Sequence, residues 1–325
     1  MPRVSRRTPV VLTLFAAVFA LPASAFANGD RATASAPAAA NVSLRIGHLQ
    51  GGKATILSRL PVTGTLSPFV PGQQVDLLFI RNGKQVGSET VDVHNGPGDN
   101  GAFRTWFRIR RGGRFAVQAV HAATAEQAGA ASVRKKFGVR FPGLGGGKCG
   151  RVVRAFKREL DKLGYVPGGG SCMTDKTSRA VLAYRKVNRK DHNSHAGSGI
   201  VKAVLAGRGA FHLKHPEAGD HVEVSIERQV LVIAHGDKPL QTYPVSTGKS
   251  STPTVTGHFQ FYMRQPGFNS HGMYYSTYFH GGYAVHGYAS VPATYPASHG
   301  CVRTPIPDAH HIYNSVFLGE DVFVY

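Results

Sequence analysis

Cys301 sits in the segment Tyr-Pro-Ala-Ser-His-Gly-Cys-Val-Arg-Thr-Pro, residues 295–305, with His299 two positions before it and Arg303 two after. A thiol with an ordinary pKa of about 8.5 is only a few per cent thiolate near neutrality, so a nucleophilic cysteine needs a base or a lowering field. Two histidines are candidates. His299 is so near in sequence that an extended backbone makes its contact with the thiol awkward, and a supporting role fits it better. His286, in Gly-Tyr-Ala-Val-His-Gly-Tyr, ends an alternating strand fifteen residues upstream and can return across a loop to face Cys301; it is the expected base. Gly300 lacks a side chain where the amides of Gly300 and Cys301 could converge on a developing oxyanion. No acid or amide side chain is placed to orient His286, which leaves a backbone carbonyl as a candidate. Taken singly, these features are modest: a lone cysteine is more often a small buried hydrophobe, His286 could be a satisfied core histidine, and Arg303 a surface charge. Jointly they are far less readily read as idle.

The elements that must position these residues read as a mainly β, multidomain chain. Residues 1–27 have the layout of a secretory signal, with Arg3, Arg6 and Arg7 before the apolar run VVLTLFAAVFAL and the small-residue stretch PASAFA. That run is shorter than the roughly 20 apolar residues a membrane span needs. Export to the cell envelope follows as the expectation, with residues 28–40 as a linker rich in alanine, serine and proline. Residues 41–140 alternate: Val42, Leu44 and Ile46 share a face, as do Phe103, Thr105, Phe107 and Ile109, and Phe115, Val117 and Ala119. Asn82-Gly83 between two such runs is a hairpin signal, because both central residues need positive φ. The pattern predicts an antiparallel sandwich of immunoglobulin-like type. A glycine-rich boundary at 141–150 precedes residues 145–210, where Val152, Phe156, Leu160 and Leu163 recur at helical spacing up to Gly164. A second helix starts near Thr174 or Asp175, either of which can cap it. From 216 to 325 alternation returns, with one late helix around PDAHHIYNSVF.

Of 325 residues, 38 are Lys or Arg and 18 Asp or Glu, a formal charge of +20 that falls to +17 without the three signal arginines. Such a field favours polyanions, and export makes the fixed anions of a cell wall the expected partners. Solvated basic faces are an equally good account of any one cluster. Three cysteines in an oxidising compartment leave one unpaired. Cys149 and Cys172, 23 apart around a predicted helix, are the expected disulfide, contributing roughly 3 kcal/mol through loop closure. The remaining thiol is Cys301.

The segment from Val285-His286-Gly287 to Ser298-His299-Gly300-Cys301-Val302-Arg303 closely resembles the signature of the L,D-transpeptidases of YkuD type. VSTGKSSTPTVTGHF resembles the S-T-G-K and T-P-x-G-x-F elements of that family, stretched by two residues between Pro253 and Gly257. The resemblance implies a β-rich catalytic domain with Cys301 as nucleophile, His286 as base and the Gly287 carbonyl orienting His286. His299 and Gly300 would shape the oxyanion pocket, while Arg303 would hold the loop or a substrate carboxylate beside Ser298. An aromatic flap would correspond to GMYYSTYF, residues 272–279, which makes Tyr274, and with it Tyr283, a candidate substrate contact. The helices resemble a small peptidoglycan-binding module through Leu163-Gly164-Tyr165, Asp175, Thr177, Ala180 and Val181. The implied activity is cross-linking of peptidoglycan stem peptides through a thioester, by a monomer with no cofactor or metal. Hydrolysis of the same thioester, as by an L,D-carboxypeptidase, and a non-catalytic wall-binding scaffold are the alternatives. Sortase-like and papain-like readings fit the order and spacing worse. His271, His280, His286 and His299 match no common zinc spacing, and no nucleic-acid motif accompanies the basic charge.

Overall fold

The computed structural model describes residues 36–325. The expected signal, residues 1–27, and the linker up to residue 35 lie outside the described residues. Two facing sheets form between residues 41 and 140. Arg59–Ser67 pairs with Gly101–Arg108 in one; Arg114–His121 lies between Gln74–Arg81 and Lys135–Arg140 in the other. Leu60, Val62, Leu66 and Phe103 of the first meet Val75, Leu77, Val117 and Phe137 of the second in one core. The alternation works because period-two side chains place one face of each strand inward. Asn82 and Gly83, with φ of 50° and 84°, close a two-residue hairpin with Arg81 opposite Lys84. One edge departs from the antiparallel expectation: Lys53–Thr55 runs parallel to Lys135–Arg140. The long chain between them makes that possible, since parallel partners need an extended crossover. Ala38 already bridges to Gln127, so the end of the expected linker is pinned to the sandwich.

Three helices follow: α1 (Arg151–Lys162), α2 (Asp175–Val187) and α3 (Ser198–Val204). In α1 the deeply buried stripe is Val153, Phe156 and Leu160. Val152 instead packs between the helical core and the sandwich core, one position off the predicted stripe. Gly164, at φ 81°, lets the chain leave α1. Thr174 caps α2 in a capping box with Thr177. A disulfide joins Cys149, just before α1, to Cys172, just before α2.

The last third contains β1 (Asp220–Ser225), β2 (Val230–His235), β3 (Lys238–Pro244), β4 (Gly257–Gln260), β5 (Met263–Phe268), β6 (Tyr274–His280), β7 (Tyr283–Tyr288), β8 (Val302–Pro305), α4 (Ile306–Ser315) and β9 (Asp321–Val324). The strands form two sheets, ordered β3-β2-β1-β9-β4 and β5-β6-β7-β8. Strand β2 is buried on both faces. Leu231 and Ile233 enter the core between the sheets, whereas Val230 and Val232 complete the core of the helices. The boundary drawn at residue 216 therefore divides residues that share a core.

Two charged contacts fasten α2 to this domain. Arg179 makes a bidentate pair with Asp308 of α4, at 2.6 and 2.9 Å. Lys186 is 1% exposed, and its Nζ donates to the carbonyls of Val245 (2.9 Å) and Gln229 (3.3 Å). Burial lowers its pKa to about 8. Lys186→Ala leaves a cavity and removes the amine's bonds to the Val245 and Gln229 carbonyls, and is expected to cost about 2–4 kcal/mol in urea unfolding. The unfolded lysine binds its proton up to about 10.5 and the folded one only up to about 8. Stability of the parent therefore rises between those values relative to Lys186→Met and runs parallel to it below them. A difference curve that is flat throughout would remove this assignment.

Candidate active site

The site is built by the parallel pairing of β7 and β8, in which Val285 lies opposite Val302, His286 opposite Arg303 and Gly287 opposite Thr304. Val285 and Val302 are buried in the core between the sheets. By alternation His286 and Arg303 occupy the other face, and Cys301 ends the loop that leads into β8, immediately before Val302. The thiol sits beside the backbone of the β6–β7 turn, with Sγ 3.7 Å from the Gly282 carbonyl. His286 is buried, and its Nδ1 lies 2.9 Å from the Gly287 carbonyl. A carbonyl only accepts, so Nδ1 carries the hydrogen and Nε2 keeps its lone pair.

The electrostatics favour a neutral resting pair. Burial pushes the Cys301 thiol up, against the smaller opposing pulls of the Ala284 amide and the Arg303 guanidinium. Burial lowers His286 to about 4; the Gly287 carbonyl opposes this and the Arg303 charge adds to it. Both shifts favour the uncharged thiol and imidazole over an ion pair.

Ser298 is fully buried, and its hydroxyl donates to the Cys301 carbonyl (2.5 Å) while accepting the Gly300 amide (3.0 Å). Both contacts close the turn around Cys301. The Gly300 amide, expected to face a developing oxyanion, donates to Ser298 in this structure. Gly300 has φ 120°, and a Cβ there would lie 2.2 Å from the ring of Tyr283. Tyr283 thereby caps the turn beside the thiol. Gly287 is also confined, since a Cβ would lie 2.6 Å from that of Ala309 on α4. Arg303 stacks its guanidinium 4.0 Å from the centre of the Tyr288 ring and donates to the Ala297 carbonyl at 3.2 Å, which holds the loop between β7 and β8. His299 is exposed, apart from the buried His286. Tyr274 is half-buried at the foot of the β5–β6 hairpin, opposite Gly287 in register and packed against Phe268. Among the described residues no three His, Cys, Asp or Glu side chains converge as a metal-binding group.

Residues 219–324 match the family model of the L,D-transpeptidase catalytic domain, YkuD. The putative L,D-transpeptidase YkuD of Bacillus subtilis is 34% identical over 108 residues, 32% of this chain and 65% of the relative's own length. The crystal structure of an L,D-transpeptidase from Xylanimonas cellulosilytica aligns with a TM-score of 0.51 at 28% identity, covering 57% of this chain and 98% of the other. That coverage exceeds the family match, so the likeness includes chain before residue 219.

Several residues that shape the L,D-transpeptidase-like site carry no motif. Gln229, at φ 52°, accepts the Thr247 amide at 2.9 Å through Oε1 and donates from Nε2 to the Thr247 hydroxyl at 2.5 Å. The Thr247 carbonyl in turn receives the Ser298 amide at 3.0 Å, and Ser246 exchanges backbone bonds with Arg303. Tyr288 could have been found from alternation, two residues beyond His286; Gln229 had no comparable signal.

Gly300→Ala is expected to lose about 1–3 kcal/mol of stability, because it combines positive φ with a ring clash. Tyr283→Ala on the same background should restore part of that loss, and a thermal or urea melt of the pair reads it. For the titration, protonated His286 cannot accept the thiol proton, so the acid limb of Cys301 acylation should fall near pH 4 rather than near 6.5. A limb at the higher value would mean that His286 is not the group titrating.

Proposed function

We propose that this chain is an exported L,D-transpeptidase that cross-links peptidoglycan stem peptides with Cys301 as nucleophile. What supports the reading is the match of residues 219–324 to the L,D-transpeptidase catalytic-domain family, with Cys301 leading into β8 beside β7 and His286 Nδ1 tied to the Gly287 carbonyl, so that Nε2 is available as base. The Cys301 sulfur forms a bond to the carbonyl carbon of the third stem residue, and its proton passes to His286 Nε2. Negative charge gathers on the carbonyl oxygen, where the Cys301 amide is the available backbone donor. Collapse breaks the C–N bond; His286 returns the proton to the departing amine, which leaves as D-alanine, and a thioester remains. An imidazolium that buried is a strong acid toward that amine. A side-chain amine of a second stem then attacks the thioester, gives a proton through His286 to sulfur, and leaves a new amide.

In the same reading the N-terminal sandwich is an immunoglobulin-like spacer, and the helices, of peptidoglycan-binding type, seat the catalytic domain on the wall. Arg303 serves mainly as the loop's brace, and Tyr274 and Tyr283 border the path of the stem.

The test is incubation of the purified chain with a disaccharide-tetrapeptide, analysed by mass spectrometry, with Cys301→Ala in parallel. The expected product is a cross-linked dimer with release of D-alanine, abolished in the variant. Tripeptide without dimer would make the chain a carboxypeptidase. A carbapenem should add covalently to Cys301 of the parent, and no adduct under reducing conditions together with no turnover would leave only a binding scaffold.

A further inference from the structure

A cleft of about 1000 Å3 opens between the N-terminal sandwich and the helices, away from Cys301. Its sandwich wall presents Lys53, Arg81, Arg110, Arg111 and Arg114. Its helical wall presents Arg158, Lys202 and Arg208. The one carboxylate in the lining, Glu159, is already taken up by Arg158 at 3.4 Å and Lys162 at 3.0 Å. Among the described residues the other lining cations have no carboxylate within salt-bridge distance. Like charges gathered without counter-charges repel one another, and an anion between the walls relieves that repulsion.

The arginine loop is held in place. Arg81 Nε donates to the Gly112 carbonyl at 3.0 Å, and Asn82 Oδ1 accepts the Arg114 amide at 3.0 Å. Gly113 adopts φ 141°, where a Cβ would lie 3.0 Å from Asn82 Oδ1. Arg110 and Arg111 are therefore exposed side chains on a fixed backbone, which lowers the ordering cost of binding. The floor is aliphatic, with Leu57, Val139 and Leu205 beside a single aromatic ring, Phe141.

We infer that this cleft binds a linear phosphodiester polymer that carries no bases. Guanidinium forks fit phosphate oxygens in pairs, and most of the lining cations are arginines. Single-stranded nucleic acid asks for a series of aromatic platforms, and one phenylalanine does not supply it. The choice of a wall polymer as source rests on the function proposed above; the charge arrangement does not.

The test uses the full chain and a fluorescently labelled poly(glycerol phosphate), followed by anisotropy across a salt series. Saturable binding that weakens steeply with salt is expected, and Arg110→Glu with Arg111→Glu should lower affinity by about tenfold or more. Lys202→Glu with Arg208→Glu, on the opposite wall, should do the same, and carbapenem acylation of Cys301 should be unchanged in both. Undiminished binding by both double variants overturns the site. Equal affinity for polyglutamate overturns the phosphate assignment, and tighter binding of a single-stranded oligonucleotide replaces it with nucleic acid. Because the binding measurement does not involve Cys301, its failure leaves the transpeptidase reading intact, and loss of turnover leaves the cleft intact.

Discussion

The parallel ladder between β7 and β8 is the constraint on which the candidate site depends. Parallel neighbours in register share a face, so Val285 and Val302 go into the core together and His286 and Arg303 emerge together. A slip of one residue would bury the thiol and expose a valine, a double penalty that fixes the register. The ladder also explains the spacing. Antiparallel strands can be joined by two residues, but parallel ones need a crossover of a dozen or more. The fifteen-residue interval from His286 to Cys301 is close to the least that lets the chain climb back and start β8 beside β7. Arg303 then ties down that crossover through Tyr288 and Ala297.

What holds the ladder lies largely outside it. Helix α4 lies so close to β7 that Gly287 has no room for a methyl group, and α4 is gripped by Arg179 through Asp308, which is 3% exposed. On the other side, Lys186 grips the Val245 carbonyl, at the start of the segment whose Ser246 and Thr247 bond to Arg303 and Ser298. Helix α2 thus reaches both halves of the site through charged groups of limited freedom. Buried ionic contacts contribute little net stability beside apolar packing, but a misplaced partner leaves a charge uncompensated, so they discriminate strongly between arrangements. The sharing of Val230 and Val232 between the helices and the sheet serves the same end by apolar means. The helices are consequently part of the frame that positions the loop carrying Cys301.

The sequence made the chemistry legible and much of its support illegible, for physical reasons. Cys301 and His286 stood out as candidates by residue type and spacing, Gly287 only through the family resemblance, and the Asn82-Gly83 hairpin because positive φ restricts composition. Helix α3 escaped notice because it is 7 residues long and follows a polar stretch, too short for periodicity to declare itself. Lys186 was invisible for another reason. Most lysines on amphipathic helices send their amines to solvent along the helix surface, and whether an amine finds two buried carbonyls is decided by a segment some sixty positions away. Ser298, which the family resemblance set beside a substrate carboxylate, has its nearest partners within three residues, the Cys301 carbonyl and the Gly300 amide, a local geometry that residue type alone does not announce.

The charge of the chain and the charge of its site then stand in useful opposition. Basic side chains dominate the formal charge of +20, while burial favours the uncharged forms of both Cys301 and His286. A thiolate made permanently by the surrounding field would be open to oxidation, since oxidants act on the ionised sulfur. Keeping the proton on sulfur until an acyl carbon is in place avoids that exposure, and the cost is a less nucleophilic resting state. Arg303 bears on both groups: its positive charge favours the ionised form of Cys301 and disfavours that of His286. In the proposed reaction the residue that braces the crossover would thereby bias proton movement toward the leaving amine. Geometry and electrostatics meet there because the β-ladder places Arg303 directly opposite His286.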